Sequence, residues 1–332
     1  MFDIPWAILP LVALALIFDF LNGFHDSSNI VATMIASRAL SGRQALALTA
    51  IAEFLGPFLF GVAVATTLGN EVLNLKVITL TMTLAALSAA VIWNIFTWWL
   101  GIPSSSSHAL VGGLLGAAII ESGSLEVVKL AGLSKVLIAL VVSPPLGFLI
   151  GYGVMRLVLF LARPAKPNIN FFFKRIQIVT ALALALSHGT NDAQKTMGVI
   201  TMGLVAAGVL PKFEVPTWVI AASAAAIALG TWTGGWRLIK TLGGKFYKIR
   251  PIHGFTAQVT SASIILGAAL LGGPVSTTQV VSSAILGVGS AERFSKVRWG
   301  VAGSIVTAWV TTIPIAAVLA ALVAVGLKQF IP

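Results

Sequence analysis

The 332-residue chain is 58% hydrophobic and only 9% charged, which excludes a soluble globular domain, whose surface needs far more charge at this size. The formal net charge of +11 does not signal nucleic acid, because no basic stretch is interleaved with aromatics and membrane proteins gather Lys and Arg in cytoplasmic loops. The chain has no cysteine, which excludes disulfides and thiolate metal sites.

Hydropathy predicts ten long apolar elements, at residues 4–37, 43–68, 77–100, 104–121, 134–161, 175–210, 216–238, 253–272, 274–290 and 299–327. The first begins MFDIPW, without the basic n-region of a cleaved signal peptide, and is expected to stay in the mature protein. Its middle reads LNGFHDSSN, residues 21–29. An ionised Asp there costs about 2.5–3.5 kcal/mol in hydrocarbon unless something holds it. Asp19 lies seven residues before Asp26, on the same face of a regular helix. The second element carries Glu53, a candidate proton relay or partner for Lys195. The third ends in Trp93, Trp98 and Trp99, which read as an interfacial belt. The fourth opens with Pro103, Ser104, Ser105, Ser106, Ser107 and His108, a helix-start pattern. The sixth carries His188-Gly189-Thr190-Asn191-Asp192-Ala193-Gln194-Lys195, and Lys195 is the one basic residue at membrane depth, expected to pair with a carboxylate or an anion. Gln258 in the eighth reads as an interhelical hydrogen bond. The ninth opens with Pro274, Val275, Ser276, Thr277, Thr278 and Gln279. Elements one and six exceed the roughly 20 residues needed to cross. Each is predicted to break into half-helices at its polar middle, at Gly23 and at Gly189.

With the N-terminus outside, inner loops collect 15 basic residues and outer loops five. This bias predicts that both termini lie outside a multi-pass cell (plasma or inner) membrane protein. The segment Asn22–Asn29 aligns without gaps on His188–Lys195, and Pro103–His108 aligns on Pro274–Gln279. The spacing from Asp to Pro is 77 residues in the first half and 82 in the second. Two matches in one order indicate duplicated halves, residues 1–165 and 166–332. Each half has five elements, so the second enters from the opposite side. The expected fold is an all-α inverted-topology repeat, about twelve helices counting half-helices, with the site at the repeat interface as in secondary transporters.

Asp26 and Asp192 then occupy equivalent positions, suited with Asn22, Asn29 and Asn191 to a small cation or a proton. Asp26 and Asp192 are the candidate metal ligands. The two Ser/Thr clusters, Ser104–Ser107 and Ser276–Thr278, open helices whose free N–H groups and hydroxyls suit a tetrahedral oxyanion. A cation beside the anion lowers the charge of the moving unit. No catalytic residue is expected: the chain lacks GxSxG, HExxH and a GxGD around either Asp, which argues against an intramembrane protease. A passive anion channel is the other class that the duplication permits.

These motifs resemble the PiT family of inorganic phosphate transporters over essentially the whole chain, in its compact form without a large central loop. The resemblance implies a phosphate site at Ser105, Ser106, Ser107 and His108 with Ser276, Thr277 and Thr278. It implies cation ligation around Asp26, Asn29, Asn191 and Asp192, no cofactor, a homodimer, and a moving transport domain beside a scaffold. Sodium-coupled relatives have Asn at the position of His25, whereas proton-coupled bacterial relatives have GFHD as here. A His titrates near neutrality, so the expectation is phosphate import by H⁺ symport, with Na⁺ as the other coupling ion. Relatives of this kind can carry phosphate as a neutral complex with a divalent metal. Gln279 stands where many relatives have a second His. Some family members carry sulfate, the alternative substrate.

Overall fold

The computed structural model describes residues 6–102, 104–166, 168–236, 239 and 249–329. Pro103 lies outside the described residues, as do the inner-loop bases Arg237, Lys240, Lys245 and Lys248. The described chain folds into helices α1 (Leu9–Ala36), α2 (Gly42–Leu59), α3 (Ala63–Thr66), α4 (Leu80–Leu100), α5 (Ser106–Ser122), α6 (Leu130–Leu161), α7 (Ile169–Ala206), α8 (Thr217–Thr233), α9 (Pro251–Leu270), α10 (Thr277–Arg293) and α11 (Trp299–Leu327). No strand occurs among the described residues, only an isolated bridge between Leu73 and Val128. Five helices are long and apolar enough to cross a membrane, and a sixth span is formed if the pair Gly42–Leu59 and Ala63–Glu71, bent by 70°, counts as one. The predicted second element is this bent pair.

The expected half-helices are not present. The helices α1 and α7 run unbroken through their polar middles, for 28 and 38 residues. Gly23 and Gly189 serve close packing instead of a break. A Cβ on Gly23 would lie 2.1 Å from the carbonyl oxygen of Ile227 in α8, and one on Gly189 would lie 2.3 Å from that of Glu53 in α2. The reciprocal contacts are made by Gly230, 1.9 Å from the Phe20 oxygen of α1, and Gly56, 2.4 Å from the Leu186 oxygen of α7, measured in the same way. Four glycines thus let two helix pairs, α1 with α8 and α2 with α7, touch backbone to backbone. A continuous helix satisfies its own backbone, so no carbonyls are released at Gly23 or Gly189 for a cation.

Two hairpins complete the frame. Gly101 ends α4 with φ 70°, and Gly272 ends the turn after α9 with φ 73°, a left-handed conformation that glycine adopts without a Cβ penalty. Ser105 then caps α5, accepting from the His108 N–H, and Ser276 caps α10, accepting from the Gln279 N–H. The helix starts read from the two hydroxyl clusters are therefore present. The partners of the hairpins also cross over: α5 packs on α11, and α10 packs on α6.

The apolar core is split in two. One cluster joins Leu11, Ala15 and Phe18 of α1 with α4, α5 and the last turns of α7, including Met197 and Ile200. The other joins Ile30, Val31 and Met34 of α1 with α9, α10 and the first turns of α7, including Phe173 and Ala181. Between them, at the middles of α1 and α7 and the tips of both hairpins, lies a layer of buried polar side chains.

Candidate functional site

That layer is a single hydrogen-bonded constellation. Asp26 accepts from Asn29 Nδ2 at 2.9 Å, Thr277 Oγ1 at 3.0 Å and Thr278 Oγ1 at 2.6 Å. The Thr277 hydroxyl also lies 3.4 Å from Asp192 Oδ2, so the two aspartates, 166 residues apart in sequence, share one hydroxyl. Asp192 accepts from Asn22 Nδ2 at 3.1 Å, and Asn22 Oδ1 accepts from Ser106 Oγ at 2.6 Å. Each carboxylate thus touches the start of a hairpin helix, directly or through one side chain.

Lys195 Nζ lies 2.8 Å from Asp192 Oδ1 and donates to Ser107 Oγ at 2.6 Å and to the Val275 carbonyl at 3.0 Å. Ser107 Oγ itself donates to Val275 O at 3.0 Å. The expected pairing of Lys195 with a carboxylate is present, and the same ammonium ties together the tips of both hairpins. Its burial is complete, and a lone ammonium could not be held there without these acceptors.

Of the residues expected to bind phosphate, Ser106, Ser107, Thr277 and Thr278 are turned into this centre. Ser105 and Ser276 are occupied as helix caps, and Ser105 Oγ lies 2.7 Å from His108 Nδ1. Gln279 Nε2 stands 3.4 Å from the His108 ring, so these two residues face each other across the hairpins. Ser104 Oγ is 2.7 Å from Thr97 Oγ1, away from the centre. Asn29 also donates to Thr278 at 3.0 Å, while Asn191 donates to the Gly273 carbonyl at 3.1 Å. Thus Asn29 is drawn to the carboxylate and Asn191 to the hairpin turn. The Oδ1 atoms of both asparagines are buried without a hydrogen bond, available as neutral ligands.

His188 was not singled out by sequence. It stands 2.7 Å from Glu53 Oε1 through Nδ1, and 3.7 Å from Asp26 Oδ2 and 3.6 Å from Asp192 Oδ2 through Nε2. Asp26, His188 and Asp192 offer three ligand atoms within 4.8 Å of one another, a donor set that fits one small cation. The available signal was its place opposite Asn22 in the aligned repeats. Glu53 does not meet Lys195; it pairs with His188 and accepts from Thr231 Oγ1 at 2.5 Å, because α2 reaches α7 a helical turn or more before Lys195.

His25 Nδ1 lies 3.6 Å from Asp26 Oδ1. Its ring borders a cavity of about 220 Å³ lined also by Phe24, Asn94 and Trp98. Gln258 bridges Thr180 and Thr33 at 2.7 and 2.9 Å, the interhelical bond expected of it. Of the expected tryptophan belt, Trp99 is 62% exposed, whereas Trp93 is buried and donates to Thr312 of α11 at 3.1 Å. Trp93 is a packing residue because α4 lies against α11.

Residues 22–320 match the model of the family described as "Phosphate transporter family". A "Probable low-affinity inorganic phosphate transporter" of Bacillus subtilis is 45% identical over 318 residues, 94% of each chain. One of the same description from Rhizobium meliloti is 46% identical over 314 residues, again 94% of each. A solved structure, "The sodium-dependent phosphate transporter", superposes with a TM-score of 0.88 at 26% identity, covering 97% of this chain and 99% of that one. The match of fold and sequence over almost the full length makes this a multi-pass, all-helical membrane transporter and not an enzyme, and the chain belongs to the phosphate transporter family.

Proposed function

We propose that the protein imports inorganic phosphate by cation-coupled symport through the constellation around Asp26 and Asp192. The observation that carries the reading is the Thr277 hydroxyl placed between the two carboxylates. It joins an oxyanion-binding helix start to a cation-binding pair. Phosphate takes the hydroxyls of Ser106, Ser107, Thr277 and Thr278, with the N–H groups opening α5 and α10. Lys195 and the cation balance its charge in a site closed to water. Ser105, Ser276 and His108 hold the helix starts in place, and Asn22, Asn29 and Asn191 orient the carboxylates and hairpins.

The coupling ion in this reading is the proton, because two imidazoles, His25 and His188, flank Asp26. Sodium is the alternative, supported by the sodium dependence of the structural neighbour. The cluster of Asp26, His188 and Asp192 also suits a divalent metal carried with phosphate as cargo. The sulfate reading draws no support from the relatives described above. The swapped helix pairs and reciprocal glycines support an inverted repeat of residues 1–165 and 166–332, and the bias of 15 basic residues in inner loops against five in outer loops supports placing both termini outside. A homodimer, with a transport domain moving beside a scaffold, completes the proposed assembly.

Uptake of labelled phosphate into proteoliposomes, with pH and sodium gradients imposed separately, tests this. Accumulation driven by the pH gradient alone is expected, and sulfate is expected not to displace phosphate. Accumulation under sodium alone would transfer the coupling to Na⁺, and equilibration without accumulation would mark a channel. His25→Asn is expected to flatten the pH profile of uptake.

A further inference from the structure

Among the described residues, four carboxylates are buried: Asp19, Asp26, Glu53 and Asp192. Three are served. Asp26 has Asn29, Thr277 and Thr278; Glu53 has His188 and Thr231; Asp192 has Lys195 and Asn22. Asp19 is fully buried, and its oxygens make no close hydrogen bond. The Thr196 hydroxyl of α7, also buried and without a close hydrogen bond of its own, is turned toward it as a long, weak donor. Charged and titratable groups acting on it include Asp192, Lys195 and His188, all on α7. Lys195 is spent on Asp192, Ser107 and Val275, and His188 on Glu53 and the paired aspartates.

An ionised carboxylate served by one weakly placed hydroxyl is costly in such a place, whereas the neutral acid is tolerated and can donate to Thr196. A hard metal cation asks for about six oxygen ligands, and one hydroxyl does not replace a hydration shell. The proton is the ligand that this environment admits. Asp19 lies seven residues before Asp26 on the continuous helix α1, about 10 Å along its axis. With the N-terminus outside, it stands between the outer surface and the paired aspartates.

We propose that Asp19, with Thr196 as its hydrogen-bond acceptor, is a separate proton-binding site that carries a coupled proton during phosphate import. The proposal rests on the proton-symport reading above. The proton binds a carboxylate oxygen of Asp19 from the outer side and leaves toward the inside in the same cycle as phosphate. No covalent step is involved.

The test uses purified full-length protein in proteoliposomes with a trapped pH-sensitive dye, comparing wild type, Asp19→Asn and Asp19→Glu. Three quantities are read: phosphate accumulation under a pH gradient, proton influx, and exchange of labelled for unlabelled phosphate without a gradient. Asn mimics the protonated acid, so exchange is expected to persist while proton influx falls. The accumulation ratio should drop about tenfold for each pH unit of gradient, the driving force of one proton. Glu is expected to retain all three. Wild-type accumulation and proton influx in Asp19→Asn would overturn the assignment. Loss of exchange in Asp19→Asn would also overturn it, by showing a structural or phosphate-binding role. If the wild-type protein accumulates phosphate under sodium alone, the underlying symport reading fails, and the Asp19 assignment falls with it.

Discussion

At the scale of single residues, the site is a balance of buried charges. Asp26→Asn and Asp192→Asn are each expected to abolish accumulation of phosphate against its gradient while leaving expression near normal. Accumulation at wild-type level in either variant would remove the coupling role. Lys195→Met strands Asp192 in a dry interior, which costs roughly 3–5 kcal/mol and should appear as a lowered unfolding temperature in detergent. Adding Asp192→Asn should recover part of that loss, since it removes the stranded charge; no recovery would show that Lys195 acts through the hairpin tips alone. Much of this was legible in sequence, because Asp, Asn and Lys inside an apolar run are conspicuous on energetic grounds. The pairing of Glu53 was not legible. His188 and Lys195 lie seven residues, about two helical turns, apart on α7, and which of them Glu53 meets depends on where α2 crosses α7.

At the scale of elements, glycine carries two meanings that sequence does not separate. A Gly in a polar stretch of a membrane helix fits both a break and a close approach, and only the neighbouring helix distinguishes them. Here Gly189 sits against the Glu53 backbone, whereas a Cβ added at Gly153 of α6 would meet nothing within 4 Å. Gly189→Ala is therefore expected to destabilise by about 1–3 kcal/mol through overpacking, and Gly153→Ala to change stability little or raise it slightly. Equal unfolding temperatures for the two variants would show that the α2–α7 contact yields freely. The hairpins were legible as helix starts, since Pro followed by Ser or Thr at the head of an apolar run announces them; the αL glycines that turn the chain before them were not read from sequence. Ser106→Ala with Thr277→Ala, one from each hairpin, should raise the half-saturation concentration for phosphate more than either change alone. An unaltered value would take the anion away from these tips.

At the scale of the whole molecule, the order of the elements was nearly complete in the hydropathy, whereas the proposed pairing of the halves rests on two short matched motifs. What hydropathy could not carry was the interlock, in which α1 lies on α8, α2 on α7, α5 on α11 and α10 on α6. The chain's freedom from cysteine makes its orientation directly measurable. Ser124→Cys and Ala165→Cys occupy exposed loops after α5 and after α6. A membrane-impermeant thiol reagent applied to intact cells should label Ser124→Cys only; the reverse pattern would turn the proposed topology over. A last consequence concerns leakage. Ser107, Lys195 and Val275 clasp the two hairpin ends to each other at the middle of the protein. On the proposed transport reading, this clasp is the contact that must part for phosphate to pass, so the strength of three hydrogen bonds would set how readily the path opens and how little leaks while it is closed.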